Sequence, residues 1–252
     1  MSNRTGAAAA GGFTRAGNIG GAVASSKSKA ASREPLTRDR ALQVAVALAD
    51  ARGIESLSMR KLARELGVEA MSLYYHVKSK EDILDGMVDI VFSEIEAPTA
   101  GVDWKTAMRG RAESTRSVLK RHPWAISLMD SRTTPGAATL KHLDVVIGFL
   151  TDAGFSIAMA AHAISLLDSY ARGFAMQEAS LPFDEVGDIG AATESILEQQ
   201  QMMAGAFPHL AEMAVNLVLQ PGYAYGNEFE FGLGVILDGI EAAQASDRDG
   251  RS

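Results

Sequence analysis

From Pro35 onward, apolar residues recur every three or four positions, the period of helices that bury one face. Leu42, Ala45, Val46 and Ala49 share a stripe in a helix predicted from Thr37, a fitting N-cap, to Gly53, a fitting stop. A second helix is expected from the N-cap Ser58 to Gly67, with Leu62 and Leu66 on its inner face. "VEAMSLYYHV" (68–77) reads as a short helix of about two turns. Ser79, with Asp82 three residues on, sets a capping box for a helix striped by Ile83, Met87, Ile90 and Val91. Pro98 and Gly101 mark a boundary. Beyond it, helices are predicted near 103–121, 123–131, 136–152, 156–179, 188–205, 209–219 and 226–244, with Asp103, Phe155–Ser156 and Asn227 near three of the starts. Residues 180–190 read as a loop and 245–252 as a frayed polar tail. No stretch alternates with a period of two and no repeat stands out, so the expected fold class is all-α.

The chain has 252 residues, of which 47% are hydrophobic, enough for a sizeable core. It has no cysteine, which removes disulfides and thiolate metal sites. No apolar run is long enough to span a membrane, and the Ala/Gly/Ser-rich start lacks the compact apolar run of a signal peptide, so a soluble cytoplasmic protein is expected. The formal net charge of -7 averages two opposite regions. Residues 1–80 carry 13 Lys/Arg against 6 Asp/Glu, whereas 81–252 carry 11 against 25. A basic head on an acidic body suits a nucleic-acid module joined to something else; five of the 13 cations lie within residues 1–33, so a flexible basic tail contributes. The expected organisation is a disordered basic tail (1–35), a three-helix head (36–97) and a larger helical domain (98–245).

Residues 58–76 have the parts of a helix-turn-helix: two short helices, a glycine at the turn, and Leu62, Leu66, Val68 and Leu73 to pack them. If Leu73 points inward, several of Ala70, Met71, Ser72, Tyr74, Tyr75 and His76 face outward. Small residues at the start of the second helix allow close entry to a major groove, where Ala70 and Met71 suit thymine methyls and Ser72 a base edge or phosphate. Tyr74, Tyr75, His76, Lys78 and Lys80 suit phosphates and set register. Ser58, Met59 and Arg60 sit where the first helix would meet the duplex, and Arg60 can reach a base or the backbone. For Tyr75 taken alone, half-buried packing is the more common fate of a helical tyrosine.

The run "ALADARGIESLSMRKLARELGVEAMSLYYHVKSKEDILDGMVD" closely resembles the DNA-binding head of the tetracycline-repressor (TetR) family, over roughly residues 37–84. The resemblance implies a recognition helix over 70–76, phosphate contacts from Tyr74 and Lys80, and base reading by Arg60. Ala70 and Met71 replace the Gln-Pro pair of the tetracycline repressor, which implies a different operator. More faintly, residues 154–180 and 229–241 resemble the long and last helices of the C-terminal domain in that branch, which pair with their copies in a four-helix dimer bundle. The dimer interface so implied contains Ile157, Ala161, Ile164, Leu167, Ala171 and Phe174 with Phe231, Val235, Ile236 and Ile240. Their periodicity fits an intramolecular core equally well.

The resemblance also implies an effector pocket in the second domain. Its candidate lining is Trp124, Leu128, Met129, Phe149 and Met176, with Arg132, His142, His162 and Gln177 as orienting polar groups. The five histidines form no H-x3-H or H-E-x-x-H pair, and "LMDSRTTPG" (128–136) lacks the histidine with which the tetracycline repressor holds a metal-bound drug. No metal and no cofactor are expected. No G-x-S-x-G, phosphate-binding glycine loop or paired-carboxylate motif points to an enzyme. The expected function is a homodimeric, ligand-responsive regulator, a repressor, that binds a palindromic operator in double-stranded DNA and is released by a small molecule. An all-α enzyme or binding bundle without DNA function is the competing class.

Overall fold

A computed structural model of the chain describes residues 35–131, 135–181 and 205–249. The basic tail up to residue 34, residues 188–204 of the helix expected over 188–205, and the candidate Arg132 lie outside them. The described chain is helical and contains no strand: α1 (Arg38–Arg52), a 3₁₀ turn (Ile54–Ser56), α2 (Met59–Leu66), α3 (Ala70–Leu73), α4 (Lys80–Glu94), α5 (Trp104–Arg121), α6 (Pro123–Ser131), α7 (Ala137–Asp152), α8 (Ile157–Ser180), α9 (Pro208–Met213), and α10 (Glu228–Asp249). None of these helices is long and apolar enough to cross a membrane.

Local chemistry sets five of the ten described helix starts. Thr37, Ser58, Ser79, Asp103 and Ser156 each accept a hydrogen bond from the backbone N–H three residues on, as N-caps do. Gly67 ends α2 in the left-handed conformation (φ 68°, ψ 32°), where a Cβ would be strained. Gly86 has a different reason. A Cβ there would come within 2.6 Å of Leu42, so the small residue lets α4 cross α1 closely.

Three elements depart from the periodic expectation. α3 is one turn, not two, because beyond Leu73 the backbone tightens: the N–H groups of Tyr75 and His76 bond to Ser72 and Leu73, three residues back. The helix expected over 209–219 is α-helical only to Met213 and continues as a π-helical turn (Ala214–Val218). α10 does not fray at residue 244. Gln244 is buried, Arg248 donates to the carbonyls of Ala153 and Gly154, and Ser156 donates to Asp247, so the polar end lies along the α7–α8 corner.

Buried apolar residues form two clusters. One joins α1 to α4 through Leu42, Leu62, Leu66, Leu73, Val77, Ile83 and Met87, and continues into Val118, Leu119, Trp124 and Ile126 of α5 and α6. The second lies among α5, α7, α8 and α10, centred on Met108, Leu150, Leu167, Phe229 and Leu233. The head therefore shares its core with the start of the body, and the burial does not break at Pro98.

Candidate DNA-reading head and effector body

α3 is held at its C-terminal end: Leu73, its last residue, and Val77, in the turn that follows, are nearly inaccessible. The residues between and before them are thrown outward. Met71 is 70% exposed and Tyr75 86%, while Ser72, Tyr74 and His76 are also exposed. Tyr75 thus does not take the packed alternative. The helical repeat explains this: with Leu73 inward, positions two before and two after it are turned to the opposite side. Two of the expected reading residues do not belong to this face. Met59 and Ala70 are half-buried and pack against the head core. Ser58 is exposed, but its hydroxyl is engaged in capping α2, accepting from Lys61 N at 3.3 Å. Arg60, Lys78 and Lys80 are exposed.

The link from α3 to α4 is fixed by one carboxylate. Asp82 accepts from the Lys78 backbone N–H (2.9 Å) and from Arg38 on α1 (2.9 Å), while its own N–H donates to Ser79. The hydrogen bond from Arg38 is the main reason its pKa is lowered, outweighing the opposing effect of burial. The arrangement sets the register of "YYHVKSK" against the head.

A second polar knot joins head to body. His122, at the end of α5, contacts Asp50 of α1 through Nδ1 (2.7 Å) and Glu94 of α4 through Nε2 (3.2 Å). Trp124 Nε1 donates to the same Asp50 oxygen (2.6 Å), and Arg121 donates to Glu94 (2.7 Å). Burial alone would raise the Glu94 pKa; hydrogen bonds from Arg121 and His122 lower it instead. Trp124 is therefore an anchor of the α1–α6 contact and not a pocket wall. Asp89 of α4 makes a further link: it accepts from the backbone N–H of Ala138 and Thr139 and from the Thr139 hydroxyl, capping α7 from outside. Neither Asp50 nor Asp89 was marked by any local pattern.

In the body, Arg111 of α5 is 2% exposed. Its Nη1 donates to Asp168 of α8 (2.6 Å) and its Nε to His142 Nε2 of α7 (3.1 Å). Burial, then the neighbouring Arg111, lowers the His142 pKa, and because Nε2 accepts from Arg111 Nε–H, the ring carries its proton on Nδ1. Among the described residues, His142 is the polar effector candidate that is buried in the body. Arg111 was missed, although an arginine in register with Met108, Ala112 and Thr115 on the inward stripe of α5 was the available signal. Phe149 packs at the edge of the second core cluster. Leu128 and Met129 pack against the head-side core instead. Met129 also borders a cavity of about 260 Å³ shared with Asp85, Val88 and Phe92 of α4 and Pro135, Gly136 and Thr139. His162, Met176 and Gln177 are exposed, and Gln177 accepts from the Tyr225 hydroxyl (2.7 Å).

The expected interface stripe divides in two. Leu167, Ala171, Phe174 and Ile240 are buried within the protomer and form core. Ile157 (68% exposed), Ala161, Phe231 (72%) and Val235 (58%) face outward, with Ile164 and Ile236 partly covered between the two sets. Phe174 is occupied by its own chain: it contacts Tyr225 and Phe229, and the Arg116 guanidinium lies 5.0 Å from its ring centroid.

Both parts of the chain resemble known proteins. Residues 41–87 match the family model described as bacterial regulatory proteins, tetR family, and residues 97–244 that described as tetracyclin repressor-like, C-terminal domain. The HTH-type transcriptional repressor DrrR1 of Streptomyces coeruleorubidus is 33% identical over 221 residues, covering 84% of this chain and 80% of that protein. Tetracycline repressor protein class C of Escherichia coli is 27% identical over 217 residues, 85% and 94% of the two chains. The structure of ActR from Streptomyces coelicolor in complex with actinorhodin superimposes with a TM-score of 0.66 at 27% identity, over 84% of this chain and 99% of that one.

Proposed function

The chain belongs to the TetR family of ligand-responsive, DNA-binding transcriptional regulators, typically homodimers on palindromic operators, and on that premise we propose the following assignment of its parts. Residues 36–97 act as the DNA-binding head and 98–245 as the effector-binding and dimerisation domain of a cytoplasmic repressor that is not an enzyme. The observation that carries this reading is the exposed set Met71, Ser72, Tyr74, Tyr75 and His76, projected from α3 and the turn after it, which buried Leu73 and Val77 hold in place. Met71 and Ser72 read base edges and Arg60 a base or phosphate. Tyr74, Tyr75, His76, Lys78 and Lys80 hold the backbone and fix register.

Two copies pair through the outward faces of α8 and α10, around Ile157, Ala161, Phe231 and Val235. Paired heads then reach successive major grooves roughly 34–36 Å apart. An effector held in the body favours a conformation with the heads displaced, and it shifts the equilibrium only by its difference in affinity for the two states. ActR, a similar protein, takes actinorhodin, which supports a small organic molecule as effector here. Selection of bound fragments from random duplex DNA tests the reading. A two-fold palindrome is expected, and the absence of any enriched sequence from low to moderate salt sinks it.

A further inference from the structure

The chain has no cysteine and 11 methionines, so thioethers are its only sulfur. Packing shields most of the methionines among the described residues. Met87 and Met108 are inaccessible, Met159 is buried, and Met59 and Met129 pack against the head-side core. Met176 and Met213 are exposed, but Met71, at 70%, exceeds both. Its place in α3 is the reason: Leu73 and Val77 take the inward positions, and Met71 projects from the opposite side together with exposed Ser72 and Tyr75. The most accessible sulfur among the described residues thus lies on the face assigned to reading bases.

A thioether this open is within reach of oxidants. A hydroperoxide delivers one oxygen to the sulfur: the O–O bond breaks, an S–O bond forms, and the other oxygen leaves as water or an alcohol. Sulfur loses two electrons and the peroxide gains them. The product, methionine sulfoxide, is polar and chiral where the thioether was apolar, and reductases reverse it at the expense of thiols. The head core is not disturbed, because Met71 belongs to neither buried cluster. The contact with DNA changes instead. A thioether suits a thymine methyl, whereas a sulfoxide oxygen placed against that methyl sheds its water and gains no donor. A dimer carries two such heads, so the loss is incurred twice. Bound DNA covers the same sulfur, so the free protein is the form open to oxidation.

Resting on the base-reading role assigned to Met71 above, we propose that Met71 is a reversible oxidation site: a hydroperoxide converts it to the sulfoxide in the DNA-free protein, and the modified head releases its operator sequence until the sulfoxide is reduced.

The test uses the full-length protein, hydrogen peroxide as the oxidant and catalase to stop it. Peptide mass spectrometry follows oxidation at each methionine, and fluorescence anisotropy gives the affinity for the palindrome that duplex selection returns with the reduced protein. Met71 should oxidise well ahead of buried Met87 and Met108. Bound operator should slow Met71 and leave Met213 unaffected. Once Met71 is oxidised, operator affinity should fall by about tenfold or more, the scale of a lost base contact, and methionine sulfoxide reductases A and B with dithiothreitol should restore it. Met71→Leu, compared only with itself before and after peroxide on the sequence selected for it, should show no loss; the measurements on the unaltered protein need no variant. The proposal is overturned if Met71 oxidises no faster than the buried methionines, if operator does not protect it, if its oxidation leaves affinity unchanged, or if Met71→Leu loses affinity as the unaltered protein does. A palindrome together with any of those results removes this inference alone. No enriched sequence with the reduced protein removes the regulator reading, and this inference with it.

Discussion

Met71 and Lys80 are both exposed and only a few residues apart, yet they should fail in different ways. A base-edge contact carries sequence information, while a phosphate contact carries only charge. Met71→Ala should change which operator is preferred, read by repeating the duplex selection, with little change in salt dependence. Lys80→Ala should weaken all sequences alike and reduce the slope of log affinity against log salt by about one. Asp82 is a third residue with a distinct signature. Its lowered carboxyl pKa means that its contribution to folding is present above the unfolded value of about 3.9 and is lost as pH falls through the folded one. Asp82→Asn should cost about 1 kcal/mol near pH 7, from the Arg38 pair and the Lys78 N–H bond. Denaturant titrations of the two proteins should converge as the pH is taken below about 3.9. The capping role of Ser79 was legible because it depends on neighbours three residues away. The Arg38–Asp82 bond spans 44 residues and left no local trace.

At the scale of elements, the short α3 depends on how it is mounted. Gly67 turns the chain, Leu73 and Val77 pin it, and α4 crosses α1 at Gly86 to complete the frame. Gly86→Ala puts a methyl against the Leu42 side chain, an overpacking that should cost about 1–3 kcal/mol. Thermal unfolding measures that loss, and operator affinity should fall with it if the α1–α4 crossing aims the head. Helix starts and stripes were readable because capping and periodicity are local. The length of α3 was not, because tightening after Leu73 follows from where Val77 must be buried. Nor was the end of α10: its polar residues look like a tail until the Ala153 and Gly154 carbonyls are placed beside Arg248.

At the scale of the molecule, exposed Phe231 and Val235 lie one turn apart on α10, with exposed Ile157 and Ala161 on α8. Apolar side chains this exposed are the basis of the pairing proposed above. Phe231→Glu with Val235→Glu should leave the protomer folded, since neither side chain belongs to its core, and shift it to a monomer by sedimentation equilibrium. Operator affinity should then fall at least tenfold, because a single head pays for its ordering alone. The acidic body does not abolish attraction to DNA, since charges are screened beyond roughly 8–10 Å at moderate salt.

The order of residues by itself determined the all-helical class, the caps, the helix-turn-helix with its glycine, and the opposed charges of head and body. Each follows from interactions within a few residues or from sums over long stretches. Periodicity also marked the apolar faces of α8 and α10, but a face has a direction and no named partner. Only the tertiary structure separated Leu167, Ala171, Phe174 and Ile240, which point into the protomer, from Ile157, Ala161, Phe231 and Val235, which do not. It alone moved Trp124 from the expected pocket to a bond with Asp50, and brought Arg111, His142 and Asp168 together from three helices. Such contacts join residues 31 to 74 positions apart, where no local spacing rule operates and packing decides which polar groups meet.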